Sequence, residues 1–314
     1  MSRIVILMAV ALAAAAAPAP GHTYRVAADG SGDFMTIQEG LSAALGGDTV
    51  SVAPGTYSGA GNRSLNFGGR RVLLIAPAGP ESTTIDCESA ARGFTFSSGE
   101  DTTAVVRGFT ITRGYAAQGG GINCTGASPL IDGCWFVANS ATSGAGAFFA
   151  SSSAKVRNCV FTGNTATYGS GATFLLSAVV VRNCTFARNG GAGAPGTLYC
   201  VGSPAPTFRA CVVAFSAAGP PMKCENGASP VTTRSVVFGN AGGNTLCGNA
   251  TDNLVTDPLL CGMLAADYTL CANSPCLPGN NAWGERVGAL GAGCGDCASA
   301  VEPMSWGRIK ALWR

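Results

Sequence analysis

Four short segments, Gly108-Phe-Thr-Ile111, Gly133-Cys-Trp-Phe136, Asn158-Cys-Val-Phe161 and Asn183-Cys-Thr-Phe186, recur every 25 residues. Ala210-Cys-Val-Val213 follows after 27 residues and Ser235-Val-Val-Phe238 after another 25. Gly121, Gly146, Gly171 and Gly196 form a second column, and Asn139, Asn164 and Asn189 a third. Three columns in one register mean that the chain is an array of stacked units, since a period of about 20–50 residues is the mark of solenoids and propellers.

The unit is too short for a helix pair, which takes about 33 residues or more, and too rich in Gly, Ser, Thr, Asn, Val and Phe. Around Asn158, apolar and polar residues alternate in Val156-Arg-Asn-Cys-Val-Phe161, which reads as two short strands meeting at a corner. A strand near Ala147-Phe-Phe149 makes three strands and three turns per unit. The expected fold is therefore all-β: a right-handed parallel β-helix (a solenoid wound from a single chain) of about eight or nine coils, each strand pairing with its equivalent about 4.8 Å along the axis. Two columns point inward. One is Phe109, Cys134, Cys159, Cys184, Cys211 and Val236; the other is Ile111, Phe136, Phe161, Phe186, Val213 and Phe238. Asn139, Asn164 and Asn189 are placed to form an amide ladder that satisfies backbone groups of adjacent coils. The glycines mark corners needing positive φ or close backbone approach.

Phe136-Val-Ala-Asn139-Ser-Ala141 and Phe161-Thr-Gly-Asn164-Thr-Ala166, each followed by Gly-x-Gly-Ala, resemble the FxxN and GGA[ILV] pairs of polymorphic outer-membrane-protein repeats. Residues 24 to about 294 resemble secreted bacterial right-handed parallel β-helix proteins. That resemblance implies a fold and not an activity, because many functions share this scaffold.

Residues 1–19 carry one charge, Arg3, then an apolar run from Ile4 to Ala17 ending in small residues. This is read as a secretory signal peptide, which makes the protein secreted or extracellular. No later stretch is apolar enough to span a membrane. Residues 20–61 read as an N-terminal cap and first coil. Thr36-Ile-Gln-Glu39 is a capping box, and Ile37, Leu41, Ala44 and Leu45 stand at helical spacing, so a short helix near 36–45 is expected to plug the open end, whose strand edges would otherwise be exposed. The stretch Asp29 to Tyr57 also resembles the opening of pectin methylesterases. Residues 62–245 form the β-helix body, 246–297 a Cys-rich C-terminal cap, and 298–314 a basic-aromatic tail that resembles the ends of many exported β-helix proteins.

Fourteen cysteines in an exported chain normally mean disulfides. Cys134, Cys159, Cys184 and Cys211 are different. On in-register parallel strands their Cβ atoms stand about 4.8 Å apart, beyond the roughly 3.5–4.5 Å of a disulfide, and they are expected to be buried thiols. Cys247, Cys261, Cys271, Cys276, Cys294 and Cys297 lie in irregular loops and are the disulfide candidates. By spacing, Cys271, Cys276, Cys294 and Cys297 also fit a zinc site, a reading that export and the absence of a nearby His place second.

Charged residues are 11% of the chain and its net charge is +2, which gives no footprint for nucleic-acid binding. Cleaving acidic polysaccharide takes carboxylates, paired in glycosidases. There is no Asp or Glu between Gly133 and Cys224, and the one histidine is His22, so no catalytic residue is assigned and no cofactor is expected. The polygalacturonase motifs NTDG and GHG are absent. Arg308-Ile-Lys310 matches that family's RIK in the tail, away from any acidic partner. The acids Asp86, Asp101 and Asp132 are weak calcium candidates beside Glu88 and Glu100.

Two residues before each inward anchor stand Arg107, Asp132, Arg157, Arg182, Arg209 and Arg234. The β-helix would carry them outward as a stripe with a repeat of about 4.8 Å, and no acid of the same coils would neutralise Arg157, Arg182 and Arg209. Stacked like charges repel, and arginine pairs with carboxylate and sulfate in a two-pronged manner. Arg107, Arg157, Arg182, Arg209 and Arg234 are thus the ligand-binding candidates, with acidic polysaccharide or a cell-surface glycan as partner. Three functions stand: a non-catalytic, adhesin-like binding protein, a divergent polysaccharide lyase or esterase, and a passive structural spacer.

Overall fold

The computed structural model describes residues 21–298 except 192, 194 and 195. The leader read over 1–19 and the tail from 299 onward, Arg308 and Lys310 included, lie outside the described residues.

Lys155–Arg157 and Val160–Thr162 are separate strands joined at Asn158, whose φ is 55°. Repeating that corner winds the chain into a right-handed parallel β-helix with three long sheets. The first has ten strands, running in order from Thr23–Val26 through Val105–Arg107, Leu130–Asp132, Lys155–Arg157, Val180–Arg182 and Thr207–Arg209 to Asn249–Thr251. The second has eight, from Gly55–Tyr57 to Val236–Phe238, and the third seven, from Leu65–Asn66 to Met222–Glu225. Ten strands exceed the eight or nine coils expected, because Thr23–Val26 and Asn249–Thr251 add a strand at each end without the repeat's signature residues.

The columns acquire their physical reasons here. Phe136, Phe161 and Phe186 are in register and stack with ring centroids 4.6 Å apart. Gly121 and Gly146 are needed for space: a Cβ on Gly146 would stand 2.6 Å from the Phe161 ring and 2.4 Å from the Gly171 carbonyl. Each buried amide reaches the next coil: Asn139 N and Nδ2 donate to Asn164 Oδ1 at 3.0 Å, and Asn164 does the same to Asn189. The thiols of Cys134, Cys159, Cys184 and Cys211 are free and buried, each donating to the carbonyl two residues before it. Burial pushes the Cys211 thiol up to about 12, so it packs as a small apolar group.

At the last coil the register departs from the expected columns by one residue. Cys211 N donates to Ser235 Oγ at 3.1 Å, and Val213 pairs with Val237. Ser235 and Val237, not Val236 and Phe238, therefore continue the inward columns, because this coil is 24 residues from its neighbour in place of 25.

The ends are closed differently. A helix, Ile37–Ala43, has Thr36 as N-cap with both capping-box bonds to Glu39 formed, and it buries Ile37 and Leu41 on the first coil. Leu45 falls beyond the helix and is 70% exposed. At the other end Leu246 and Cys247 pack on the last coil, where Cys247 is bridged to Cys224. The rest of the expected cap, from about 257, folds back along the flank. Its small sheet, Leu260–Gly262, Asp267–Cys271 and Ala292–Cys294, lies over the outer face of the second sheet. Tyr268 and Ala289 bury Val160 and Ala187, while Leu270, Cys276 and Val287 bury Val212, Ala214 and Val236. The outward residues of that sheet are apolar for this reason. Cys276 is free and fully buried in this contact and takes no disulfide partner; Cys224, outside the expected set, does.

Candidate functional site: an arginine ladder

The strand register puts Arg107, Asp132, Arg157, Arg182 and Arg209 on successive rungs of the first sheet. The next rung holds Thr233. Arg234 is one position further, in the positive-φ corner column with Asn158, Asn183 and Ala210, as the one-residue shift of the last coil requires. It approaches the ladder from the corner.

Two carboxylates divide the ladder. Asp132 Oδ2 accepts from Arg107 Nε at 3.0 Å and Arg157 Nη2 at 3.2 Å, and its Oδ1 accepts from Asn158 Nδ2 at 2.9 Å. Glu285 Oε1 accepts from Arg209 Nη2 at 2.9 Å and Arg234 Nη1 at 3.1 Å, with Arg182 Nη2 3.5 Å from Oε2. The coils of Arg182 and Arg209 hold no acid, as expected, but Glu285 reaches both arginines from outside them, so these arginines are not left unneutralised. It comes from the segment folded along the flank, 76 residues beyond Arg209. The only signals for it in the sequence were the apolar outward residues of the second sheet, which require a cover.

Positive charge is still in excess. Arg107, Arg157, Arg182, Arg209 and Arg234 share Asp132, Glu285 and Asp252, Arg286 Nη2 donates to Asn158 Oδ1, and the Nε atoms of Arg209 and Arg286 are buried without a partner. Beside Arg107 and Asp132 lies an open groove of about 460 Å³, lined also by Ile75, Pro77, Gly133 and Asn158. Such a surface can hold an extended anion by hydrogen bonds and Coulomb attraction.

Burial is the largest influence on Asp132 and raises its pKa, but hydrogen bonds from Asn158 and Arg157 and the field of both arginines outweigh it and hold the group below the usual value of 3.8. A carboxylate depressed in this way stabilises the fold above its unfolded pKa and loses that contribution as pH falls through the folded value. Asp132→Asn is therefore expected to lower the denaturation midpoint at pH 7, with the gap to the parent narrowing below about pH 3.8. A gap that is the same at pH 7 and pH 2.5 would show that the ion pairs contribute nothing.

The calcium candidates are not brought together. Asp86 pairs with Arg113, Asp101 caps Thr103, and Asp132 serves the ladder. Glu100 is buried on the backbone of Gly69 and Ser98, and Glu88 pairs with Arg63. Among the described residues, the one cluster with metal-ligand spacing is sulfur: Cys261, Cys271 and Cys294.

The family model described as "right handed beta helix region" matches residues 93–257, which is more than half of the chain. No curated protein sequence matches it. Among solved structures it is similar to pectate lyase Pel9A, at 18% identity and a TM-score of 0.49 over 77% of this chain and 72% of that one. It is also similar to the pectin methylesterase from carrot, at 12% and 0.43 over 77% and 91%, and to that from Aspergillus niger, at 16% and 0.39 over 76% and 92%. No catalytic residue is carried over from them.

Proposed function

Since the chain belongs to the right-handed β-helix family, in which function resides in side chains displayed on a common coil, we propose that it is a secreted, non-catalytic binding protein for acidic polysaccharide. The arginine ladder of the first sheet is its contact surface. Three disulfides among the described residues fit an oxidising, extracellular setting, and no described helix is long and apolar enough to cross a membrane.

The observation behind this proposal is the convergence of Arg182, Arg209 and Arg234 on the single carboxylate of Glu285. A surface that gathers three guanidinium groups round one carboxylate suits a uronate or sulfate polymer running along the helix axis. Glu285 then competes with the ligand for the same donors.

Two opposed outcomes test it. Glu285→Gln frees the donors and is expected to tighten binding of polygalacturonate or heparin at low salt. Arg157→Gln, Arg182→Gln and Arg209→Gln together are expected to weaken it by about tenfold to a hundredfold, since each exposed contact is worth roughly 1 kcal/mol or less. Binding should fall steeply with salt as the Debye length shrinks from about 10 Å at 0.1 M to about 3 Å at 1 M. Equal binding by the parent and the triple variant at low salt would end the proposal. Release assays on pectin, alginate and glycosaminoglycans should yield no product. Turnover that disappears with Asp86→Asn, Asp101→Asn or Asp132→Asn would instead make the protein a lyase or esterase.

A further inference from the structure

The small C-terminal sheet gathers four sulfur atoms. Two bridges join them, Cys261–Cys294 and Cys271–Cys297, but the bridges also touch each other. Cys294 Sγ lies 3.5 Å from Cys271 Sγ and 3.8 Å from Cys297 Sγ, and the sulfurs of Cys261, Cys271 and Cys294 all fall within 4.8 Å of one another. In a tetrahedral zinc tetrathiolate with Zn–S near 2.3 Å, neighbouring sulfurs stand about 3.8 Å apart. The contacts of Cys294 with Cys271 and Cys297 are already close to that length, whereas Cys297 stands outside the group of mutually close sulfurs that Cys261, Cys271 and Cys294 form.

We propose that reduction of the two bridges converts this cluster into a zinc site with Cys261, Cys271, Cys294 and Cys297 as its four ligands. Each S–S bond takes two electrons and two protons from an external dithiol, which is oxidised to its own disulfide, and yields two thiols. Zinc then displaces the four thiol protons and leaves a dianionic ZnS4 centre. Spacing alone put Cys276 in this set. The fold replaces it with Cys261, because Cys276 points into the apolar contact with the second sheet.

Backbone contacts hold the ligands in place alongside the bridges. Cys271 and Cys294 are paired residues of neighbouring parallel strands, and Cys261 lies on the strand antiparallel to that of Cys271. Cys297 is pinned by the Asn273 side chain, which accepts from Cys297 N at 3.0 Å and donates to Cys297 O at 2.9 Å. Closing a tetrahedron then takes the two bonded pairs apart to an edge of about 3.8 Å and brings Cys297 closer to Cys261. Both partial closures, bridged or metallated, cross-link the same three strands, so the segment that carries Glu285 stays folded on the flank in either redox state.

The test is a Co2+ titration of the full chain after reduction with dithiothreitol and anaerobic removal of the reductant. One Co2+ per chain should bind with the visible bands of a tetrahedral tetrathiolate and be displaced by one equivalent of Zn2+; the oxidised chain should bind none. Loss of a mere outer-shell partner costs about 10–100-fold in metal affinity, so Cys261→Ser and Cys297→Ser should each cost at least that and alter the bands. Cys276→Ser and Cys224→Ser should leave both unchanged. The proposal is overturned if the reduced chain binds no stoichiometric metal, or if the bands are indifferent to Cys261→Ser and Cys297→Ser. Should reduction abolish the near-ultraviolet circular dichroism, one equivalent of Zn2+ must restore it, and failure to do so counts equally against the site.

Discussion

Phe161→Ala is expected to be among the most damaging single changes in this protein, lowering its stability by about 3–5 kcal/mol. Phe161 is 1% exposed and lies at the middle of the aromatic stack, 4.6 Å from the rings of Phe136 and Phe186 on either side. Removing the ring deletes both stacking contacts and leaves a cavity that the neighbours cannot fill. Their backbones are held one strand spacing apart by the ladders of the second sheet, and Gly146 opposite offers no side chain to lean in. Cooperativity in a solenoid runs through nearest neighbours, so a weak central coil uncouples the coils before it from those after it. Denaturant titration measures the effect, with Phe161→Leu, which keeps most of the volume, as the milder control. A loss under about 1.5 kcal/mol would mean that the coils relax toward one another and that the stack is not the main source of core energy.

Asn164→Ala is the second large effect, expected at about 3 kcal/mol or more for a side chain that removes almost no apolar surface. Asn164 is fully buried, donates from Nδ2 to Phe136 O at 2.8 Å and to Asn189 Oδ1 at 2.9 Å, and accepts from Asn139 N and Nδ2 at 3.0 Å. Alanine leaves the Asn139 N–H and one Asn139 amide hydrogen without partners in a dry corner, at about 1–3 kcal/mol for each orphaned group, and takes from the Phe136 carbonyl the side-chain donor it has beside the strand ladder. Asn164→Asp separates hydrogen bonding from size. Its carboxylate would face two acceptors, Phe136 O and Asn189 Oδ1, so its folded pKa should rise. The damage should then be greatest above that raised value and shrink as pH falls toward the ordinary Asp range, where the protonated group regains a donor. If Asn164→Asp is as stable as the parent at pH 7, the amide ladder carries little energy.

Much of the fold was legible because it repeats. A 25-residue period forces equivalent residues onto neighbouring rungs, so the inward Cys and Phe columns, the amide ladder and the Arg107 to Arg209 stripe followed from spacing. The capping helix was legible for a local reason, since Thr36 and Glu39 satisfy each other within one turn. Where the period broke by a single residue, before Ser235, the same logic misplaced Arg234 and the last inward residues.

The sequence by itself determined what repeats: a parallel coil, its core columns and the direction in which its arginines face. Only the tertiary structure decided where the non-repeating residues go. Cys224 meets Cys247, Cys276 is buried unpaired, and Glu285 crosses to Arg182, Arg209 and Arg234. The physical reason is that a strand register is set by matching each residue to an equivalent one a fixed distance away. Burial of the flank by residues 257–297 depends instead on shape and apolar area between unlike segments, as where Tyr268 and Ala289 cover Val160 and Ala187, and such contacts leave no period to read.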